Sequence, residues 1–140
     1  MPSAILIDFD GTIVPYDIEF EIFARFGGAD KAGDVVARLE RGELTVPERL
    51  TAGFAALHDG GLSRSQLEVF LDDVPIDPTF ADFLKLLQER NWPHAILSDG
   101  LTWYIEGVLK RHGIDPVQTI ISNEIDFDAG WRLRFLSLEG

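Results

Sequence analysis

The chain has 140 residues, of which 46% are hydrophobic, and its 24 acids and 12 bases give a formal net charge of −12. This length and composition suit one folded domain with a sizeable core and exclude a disordered chain. The excess of acids argues against nucleic acid and anionic membranes as partners, because both attract basic surfaces. The absence of cysteine excludes disulfides and thiolate metal sites.

The N-terminus "MPSAILID" lacks the basic segment that opens a secretory signal. No apolar run approaches the ~18 residues needed to span a bilayer. We therefore expect a soluble, cytoplasmic protein. The acidity still permits a small phosphorylated substrate, because a bound metal ion reverses the local field.

The first half of the chain predicts one strand and then a long helical segment. Residues 4–9 are nearly all apolar, as in a buried parallel strand. Residues 17–73 are helical in pattern, and two capping boxes, Thr45 with Glu48 and Ser63 with Gln66, begin helices there. The remaining helical signals are the stripe of Ile18, Ile22, Phe23 and Phe26, and a weaker one of Val35, Val36 and Leu39.

The second half alternates helices and strands. A helix is predicted to begin at Pro78 with Asp77 as its cap, and its core face holds Phe80, Phe83, Leu84 and Leu87. Strands are predicted over 94–97 and 117–121, and "FDAGWRLRF" predicts a β-hairpin. Between the two strands, a helix carries the core face Leu101, Tyr104, Ile105, Val108 and Leu109.

This order predicts an α/β fold with a parallel sheet and right-handed crossovers. The helical segment after the first strand is too long for one crossover, so we interpret it as an inserted helical cap. The predicted core comprises residues 1–14 and 76–140, and the predicted cap comprises residues 15–75.

Two acids, Asp8 and Asp10, follow the first strand and precede Gly11. One interpretation is a two-residue hairpin turn at Asp10-Gly11, which would leave both carboxylates as ordinary surface groups. Its second arm, residues 12–14, is very short before Pro15. In the other interpretation, both acids lie at the carboxyl ends of parallel strands, where open α/β sheets bind ligands.

In the second interpretation, the two acids have a catalytic function. One carboxylate can act as a nucleophile and the other as a general acid-base if their environments separate their pKa values. Two neighbouring anions also favour a cation, and oxygen ligands without cysteine favour Mg²⁺. Ser98 ends the second predicted strand just before a helix, where its hydroxyl and the free N–H groups form an anion site. Alternatively, Ser98 or Asp99 merely caps that helix.

The motifs "DFDGTIVPYD" and "ILSDG" resemble the first two motifs of the haloacid dehalogenase superfamily of aspartate-nucleophile phosphatases. The helical insert resembles the cap of its phosphoserine-phosphatase-like branch. "ILSDGLTWYIEGVLKRHGI" and "ISNEIDFDAG" are most similar to the 2-hydroxy-3-keto-5-methylthiopentenyl-1-phosphate phosphatases of methionine salvage. The resemblance covers essentially the whole chain and implies a Rossmann-like core and a Mg²⁺-dependent phosphatase of small phosphorylated metabolites.

The resemblance also implies residue roles. Asp8 would attack phosphorus and become an aspartyl phosphate, and Asp10 would protonate the leaving oxygen and then activate water. Mg²⁺ would be held by the Asp8 carboxylate and the Asp10 backbone carbonyl. The residues implied at the substrate are Gly11, Thr12, Asp17, Ser98, Asp99 and Gly100. Thr12 would also orient Asp10. Phosphoserine enzymes carry a substrate-reading Glu near Asp17 and a carboxylate-binding Arg near Gly53, so Gly53 argues against phosphoserine.

Two family motifs are not found. Lys110 comes too early for the lysine of the third motif, and Asp126 and Asp128 lie in the hairpin rather than in the acidic pair of the fourth. We therefore expect a C-terminally truncated, incomplete sheet, and one alternative function is a catalytically incomplete phosphate-binding fragment. Another is a phosphoacceptor receiver-like domain. An open edge along residues 4–9 would favour self-association.

Overall fold

The computed structural model describes residues 3–27, 37–38, 40–114 and 119–136. Within these ranges it contains four strands and five α-helices. In chain order they are β1 (Ile5–Ile7), α1 (Ile18–Phe26), α2 (Val46–Asp59), α3 (Arg64–Leu71), α4 (Phe80–Glu89), β2 (His94–Leu101), α5 (Thr102–Arg111), β3 (Thr119–Asp126) and β4 (Arg132–Arg134).

The four strands form one sheet in the order β1-β2-β3-β4. Strands β1, β2 and β3 are parallel, and β4 runs antiparallel to β3. A short 3₁₀ turn, Phe127–Ala129, and the left-handed Gly130 (φ 66°) join β3 to β4. The predicted α/β class is therefore confirmed. A β-hairpin is also present, but its first arm is the end of β3 at Glu124–Asp126, and the predicted first arm, Phe127–Ala129, is the turn.

The two faces of the sheet differ in burial. Ile7, Ile96 and Ile120 align in register and point towards the core. Two side chains on the other face, Leu6 and Leu97, remain 59% and 42% exposed. Within the described residues, the helices therefore cover one face of the sheet far better than the other.

The predicted helix starts in the first half are confirmed at the atomic level. The Thr45 side chain accepts the N–H of Glu48 at the start of α2. At the start of α3, Ser63 and Gln66 each accept the backbone N–H of the other, so the capping box is complete. Val35, Val36 and Leu39, which carried the weaker helical signal, lie outside the described residues.

Some boundaries in the second half were wrong. Helix α4 begins at Phe80, because the Asp77 side chain accepts the N–H and hydroxyl of Thr79 and forms a turn first. Phe83 is 40% exposed and does not belong to the core face. Strand β2 continues to Leu101 rather than ending at residue 97.

The described residues contain no helix that combines the length and hydrophobicity needed to cross a membrane. The cytoplasmic location expected from the sequence stays a prediction.

Candidate active site

Asp8 directly follows β1, at the carboxyl end of the three parallel strands. Its side chain is exposed, and Oδ1 accepts the N–H of Phe9 at 2.9 Å. No other described residue donates a hydrogen bond to this carboxylate, so its second oxygen is open to a ligand. The position suits a nucleophile, and that role stays a prediction.

Asp10 lies two residues further on and is partly buried. Each carboxylate oxygen accepts one hydrogen bond from a different helix. The backbone N–H of Ile18, at the start of α1, donates to Oδ1 at 2.9 Å. The hydroxyl of Tyr104, on α5, donates to Oδ2 at 2.7 Å. Asp10 thus joins the start of the helical segment to the helix that follows β2.

The chain between these acids and α1 forms a tight turn. The carbonyl of Phe9 accepts the N–H groups of Thr12, Ile13 and Val14 at 3.0–3.2 Å, and Gly11 adopts the left-handed conformation that favours glycine (φ 75°). The hairpin interpretation of Asp10-Gly11 is wrong, because β1 pairs in parallel with β2 and not with the residues after the turn. The Thr12 side chain is exposed, and the donors to the Asp10 carboxylate are Ile18 and Tyr104.

Burial raises the pKa of Asp10 from its ordinary value to about 6. The hydrogen bonds from Ile18 and Tyr104 oppose this rise, and the charges of Asp17 and Asp99 reinforce it. A carboxyl group that titrates near neutrality can both give and take a proton at cellular pH. The electrostatics of Asp10 therefore suit a general acid-base.

The second motif lies at the end of β2, in front of α5. Ser98 is buried, and its Oγ accepts the N–H of Gly100 at 3.0 Å, so the hydroxyl proton is free to point elsewhere. The carbonyl of Asp99 accepts the side-chain amide of Asn123 at 2.8 Å, which ties the motif to β3. The N-cap of α5 is Leu101, and no side chain caps the helix. The interpretation of Ser98 or Asp99 as a simple helix cap is therefore wrong.

Asp17 has a structural partner. It is the N-cap of α1, and its Oδ1 accepts the N–H of Phe20 at 3.2 Å. Burial raises its pKa, although that hydrogen bond and the charge of Arg49 act in the opposite direction. The substrate role predicted for Asp17 stays a prediction beside this capping role.

The sequence interpretation missed two neighbours of this site. The sequence analysis assigned Tyr104 only to the core face of its helix. A buried tyrosine hydroxyl requires a hydrogen-bond partner, and that requirement was the available signal. Glu19 is 1% exposed and forms an ion pair with Arg49 of α2. In the sequence, Glu19 lies three residues before Ile22, on the apolar side of the helix. An ionisable side chain at such a position is buried and needs a partner, and this was the available signal.

The candidate metal ligands at the site are oxygen atoms, which suit a hard cation. The Asp8 carboxylate and the Asp10 carbonyl are both oxygens, as Mg²⁺ prefers. However, the described ranges contain no group of three or more metal-ligating side chains. These residues would therefore supply only part of a metal site.

The sequence matches the family model of the haloacid dehalogenase-like hydrolases over residues 5–138. A phosphoserine phosphatase of Idiomarina loihiensis is 27% identical over 90% of this chain and 55% of its own length. A 2-hydroxy-3-keto-5-methylthiopentenyl-1-phosphate phosphatase of Microcystis aeruginosa is 31% identical over 86% of this chain and 56% of its own. The chain thus spans about half the length of the curated relatives it matches.

Solved structures agree on the fold. A phospho-aspartyl intermediate analogue of phosphoserine phosphatase superposes with a TM-score of 0.70 at 20% identity, covering 96% of this chain and 63% of the other. A substrate-bound phosphoserine phosphatase gives a TM-score of 0.71 at 19% identity over the same shares. Fold and family model agree, and the chain belongs to the haloacid dehalogenase-like hydrolases.

Proposed function

We propose that the chain carries the nucleophile and the acid-base residue of a phosphomonoester hydrolase, with Asp8 and Asp10 in these roles. The observation that carries the proposal is the contrast between the two carboxylates. Asp8 is exposed at the end of β1, whereas Asp10 is held by two donors and titrates near neutrality. A division of labour between two carboxylates requires this difference in environment.

The reaction proceeds in two displacements. In the first, an Asp8 oxygen bonds to phosphorus, the ester P–O bond breaks, and the proton of Asp10 passes to the leaving oxygen. In the second, Asp10 takes a proton from water as the water oxygen bonds to phosphorus and the bond to Asp8 breaks. The products are an alcohol and inorganic phosphate, and both aspartates return to their starting states.

Mg²⁺ fits as the cofactor, with the Asp8 carboxylate and the Asp10 carbonyl among its ligands. Bound there, it would offset the negative charge of the phosphoryl group beside these acids. Ser98 and the uncapped N-terminus of α5 support binding of the phosphoryl oxygens, since a hydroxyl and backbone N–H groups are donors for an anion. The N–H of Gly100 already donates to Ser98 and would have to be shared.

The substrate we propose is a small phosphorylated metabolite other than phosphoserine. Gly53 of α2 packs against the ring of Phe23, and a Cβ added there would lie 2.1 Å from Cζ of that ring. An arginine at position 53 could therefore not replace the glycine without displacing Phe23. The nearby cation on the same helix, Arg49, is already in contact with the Glu19 carboxyl group. Both features disfavour a substrate that is recognised through a carboxylate.

We also propose that residues 15–75 form a cap over a core made of residues 1–14 and 76–140. The support is a set of contacts between α3 and α5. Arg111 donates to Asp72 at 2.7 Å, and the indole of Trp103 donates to Glu68 at 2.8 Å. These bonds would hold the cap at a fixed distance from the motif in front of α5.

The experiment that tests the catalytic proposal is trapping of Asp8. Beryllium fluoride mimics a phosphoryl group on an aspartate, so with Mg²⁺ it should bind the protein but not Asp8→Asn, as measured by ¹⁹F NMR. Hydrolysis of p-nitrophenyl phosphate should fall at least about 1,000-fold in Asp8→Asn. Asp82→Asn, at an exposed position on α4, is the matched control. Parent-level turnover by Asp8→Asn would refute the assignment.

The second candidate is a phosphate-binding chain without turnover. It is favoured by the described residues, which bring together no group of three or more metal-ligating side chains. An enzyme that lacks one group stabilising the charge of the transition state loses about 10²–10³ in rate. Calorimetric titration with phosphate and Mg²⁺ separates the two candidates, since binding with no measurable hydrolysis would favour the second. The family match gives no support to the receiver-like alternative.

A further inference from the structure

Tyr104 is among the largest fully buried side chains of the described residues, and its one polar atom is aimed at Asp10. We propose that Tyr104 is the residue that positions the acid-base carboxylate, the role that the sequence had suggested for Thr12. This inference rests on the proposed function, because it assigns Asp10 to proton transfer. The Thr12 side chain, by contrast, is exposed.

The hydrogen bonds to Asp10 restrict its rotation. With Ile18 N–H on Oδ1 and the Tyr104 hydroxyl on Oδ2, any turn of the carboxylate breaks at least one bond. The phenol itself is fixed by its neighbours, because its ring packs against Phe9 at 6.0 Å and Trp103 at 6.4 Å between centroids. A rigid donor on a helix therefore sets the direction of the carboxylate.

Gly100 leaves the room that this arrangement requires. A Cβ added at position 100 would lie 1.6 Å from the Tyr104 hydroxyl oxygen and 3.1 Å from Oδ2 of Asp10. Any larger residue would displace the phenol from Asp10. The glycine of the second motif thus has a packing function that is separate from contact with a phosphate.

The positioning matters most where the leaving oxygen is basic. In the first displacement, an alkoxide-like leaving group needs the Asp10 proton as its bond to phosphorus breaks, whereas 2,4-dinitrophenolate leaves without one. Loss of the Tyr104 hydroxyl leaves Oδ2 without its donor and allows the carboxylate to rotate. The loss of rate in a Tyr104 variant should therefore depend on the leaving group. A general loss of structure would instead lower the rate equally for all leaving groups.

The first test compares the parent with Tyr104→Phe on two esters in the presence of Mg²⁺. For glycerol 2-phosphate, kcat should fall about 10–100-fold with little change in KM. For 2,4-dinitrophenyl phosphate, the single-turnover release of dinitrophenol should change less than about threefold. The control is Glu106→Gln, at an exposed position on the same helix α5. Equal losses on both esters, or no loss, would overturn the proposal.

A second readout requires no turnover. The N–H of Ile18 bonds to the carboxylate that Tyr104 holds, so its amide hydrogen exchange should accelerate about tenfold in Tyr104→Phe, as expected for a hydrogen bond weakened by ~1.4 kcal/mol. It should stay unchanged in Glu106→Gln. Unchanged exchange in Tyr104→Phe would overturn the positioning role. If the parent hydrolyses neither ester, the proposed function fails, and the exchange experiment still decides whether Tyr104 holds Asp10.

Discussion

Glu19 and Arg49 place two ionisable side chains in contact in the interior of the helical segment. Glu19 lies in the first turn of α1 and Arg49 in the first turn of α2, and their side chains are 2% and 11% exposed. Burial and the charge of Asp17 raise the pKa of Glu19 to about 9, and Arg49 only partly offsets them. An ionisable pair buried in this way seldom adds net stability.

The raised pKa of Glu19 predicts that stability decreases with pH. The unfolded chain releases this proton near 4.5 and the folded chain near 9, so the folded state binds more protons between these values. The stabilising contribution is therefore complete below 4.5 and is lost as the pH rises through about 9, at no more than about 1.4 kcal/mol per pH unit. Urea unfolding at pH 5, 7 and 9 should show this slope in the parent and a smaller one in Glu19→Gln.

Glu21→Gln is the matched control for that measurement, because Glu21 lies on the same helix and is exposed. The control should keep the slope of the parent. A Glu19→Gln variant with an unchanged slope would show that other groups, such as Asp10, account for the pH dependence.

At the residue scale, the sequence predicted the polar residues of the two motifs but not the residues that bind to them. Asp8, Asp10 and Ser98 could be placed because strand ends and apolar runs are visible in one dimension. Tyr104 could not be paired with Asp10, because the two are 94 positions apart and meet only when α5 packs beside the turn after β1. A hydroxyl on an apolar face signals that a partner exists without saying which residue it is.

At the element scale, the close approach of α1 and α2 depends on one glycine. The Phe23 ring is buried against Phe54 with centroids 5.5 Å apart, and it lies directly over Gly53. The sequence predicted both helices from their stripes and caps, which are local signals. It did not predict their contact, because the space above Gly53 is a property of the packed pair.

Gly53→Ala should destabilise the fold although alanine is the better helix former. The added Cβ would lie 2.1–2.7 Å from three atoms of the Phe23 ring. Overpacking costs about 1–3 kcal/mol, against a gain of ~1 kcal/mol in helix propensity. Thermal unfolding should therefore give a net loss of about 1 kcal/mol. In a double-mutant cycle, Phe23→Leu should relieve part of this loss; strictly additive effects would contradict the steric explanation.

At the scale of the whole molecule, a strongly acidic surface coexists with an uncovered apolar sheet face. In the part of the chain that the structure describes, β1 pairs with β2 alone, so its other edge has open N–H and C=O groups. Leu6 and Leu97 are exposed beside it, and Ile121 of β3 is 38% exposed. We propose that this edge pairs with a second copy of the chain, because no Pro or Lys interrupts residues 4–9.

The parent should therefore form dimers or larger species at micromolar concentration in sedimentation velocity. Its net charge of −12 opposes association, so added salt, which screens that repulsion, should shift the population towards the larger species. Leu6→Lys places a charge on the exposed strand and should yield a monomer. Val69→Lys is the matched control, because Val69 is 64% exposed on α3, away from the sheet, and this variant should still associate. A parent that stays monomeric at all salt concentrations, or equal effects of the two lysines, would rule out pairing through β1.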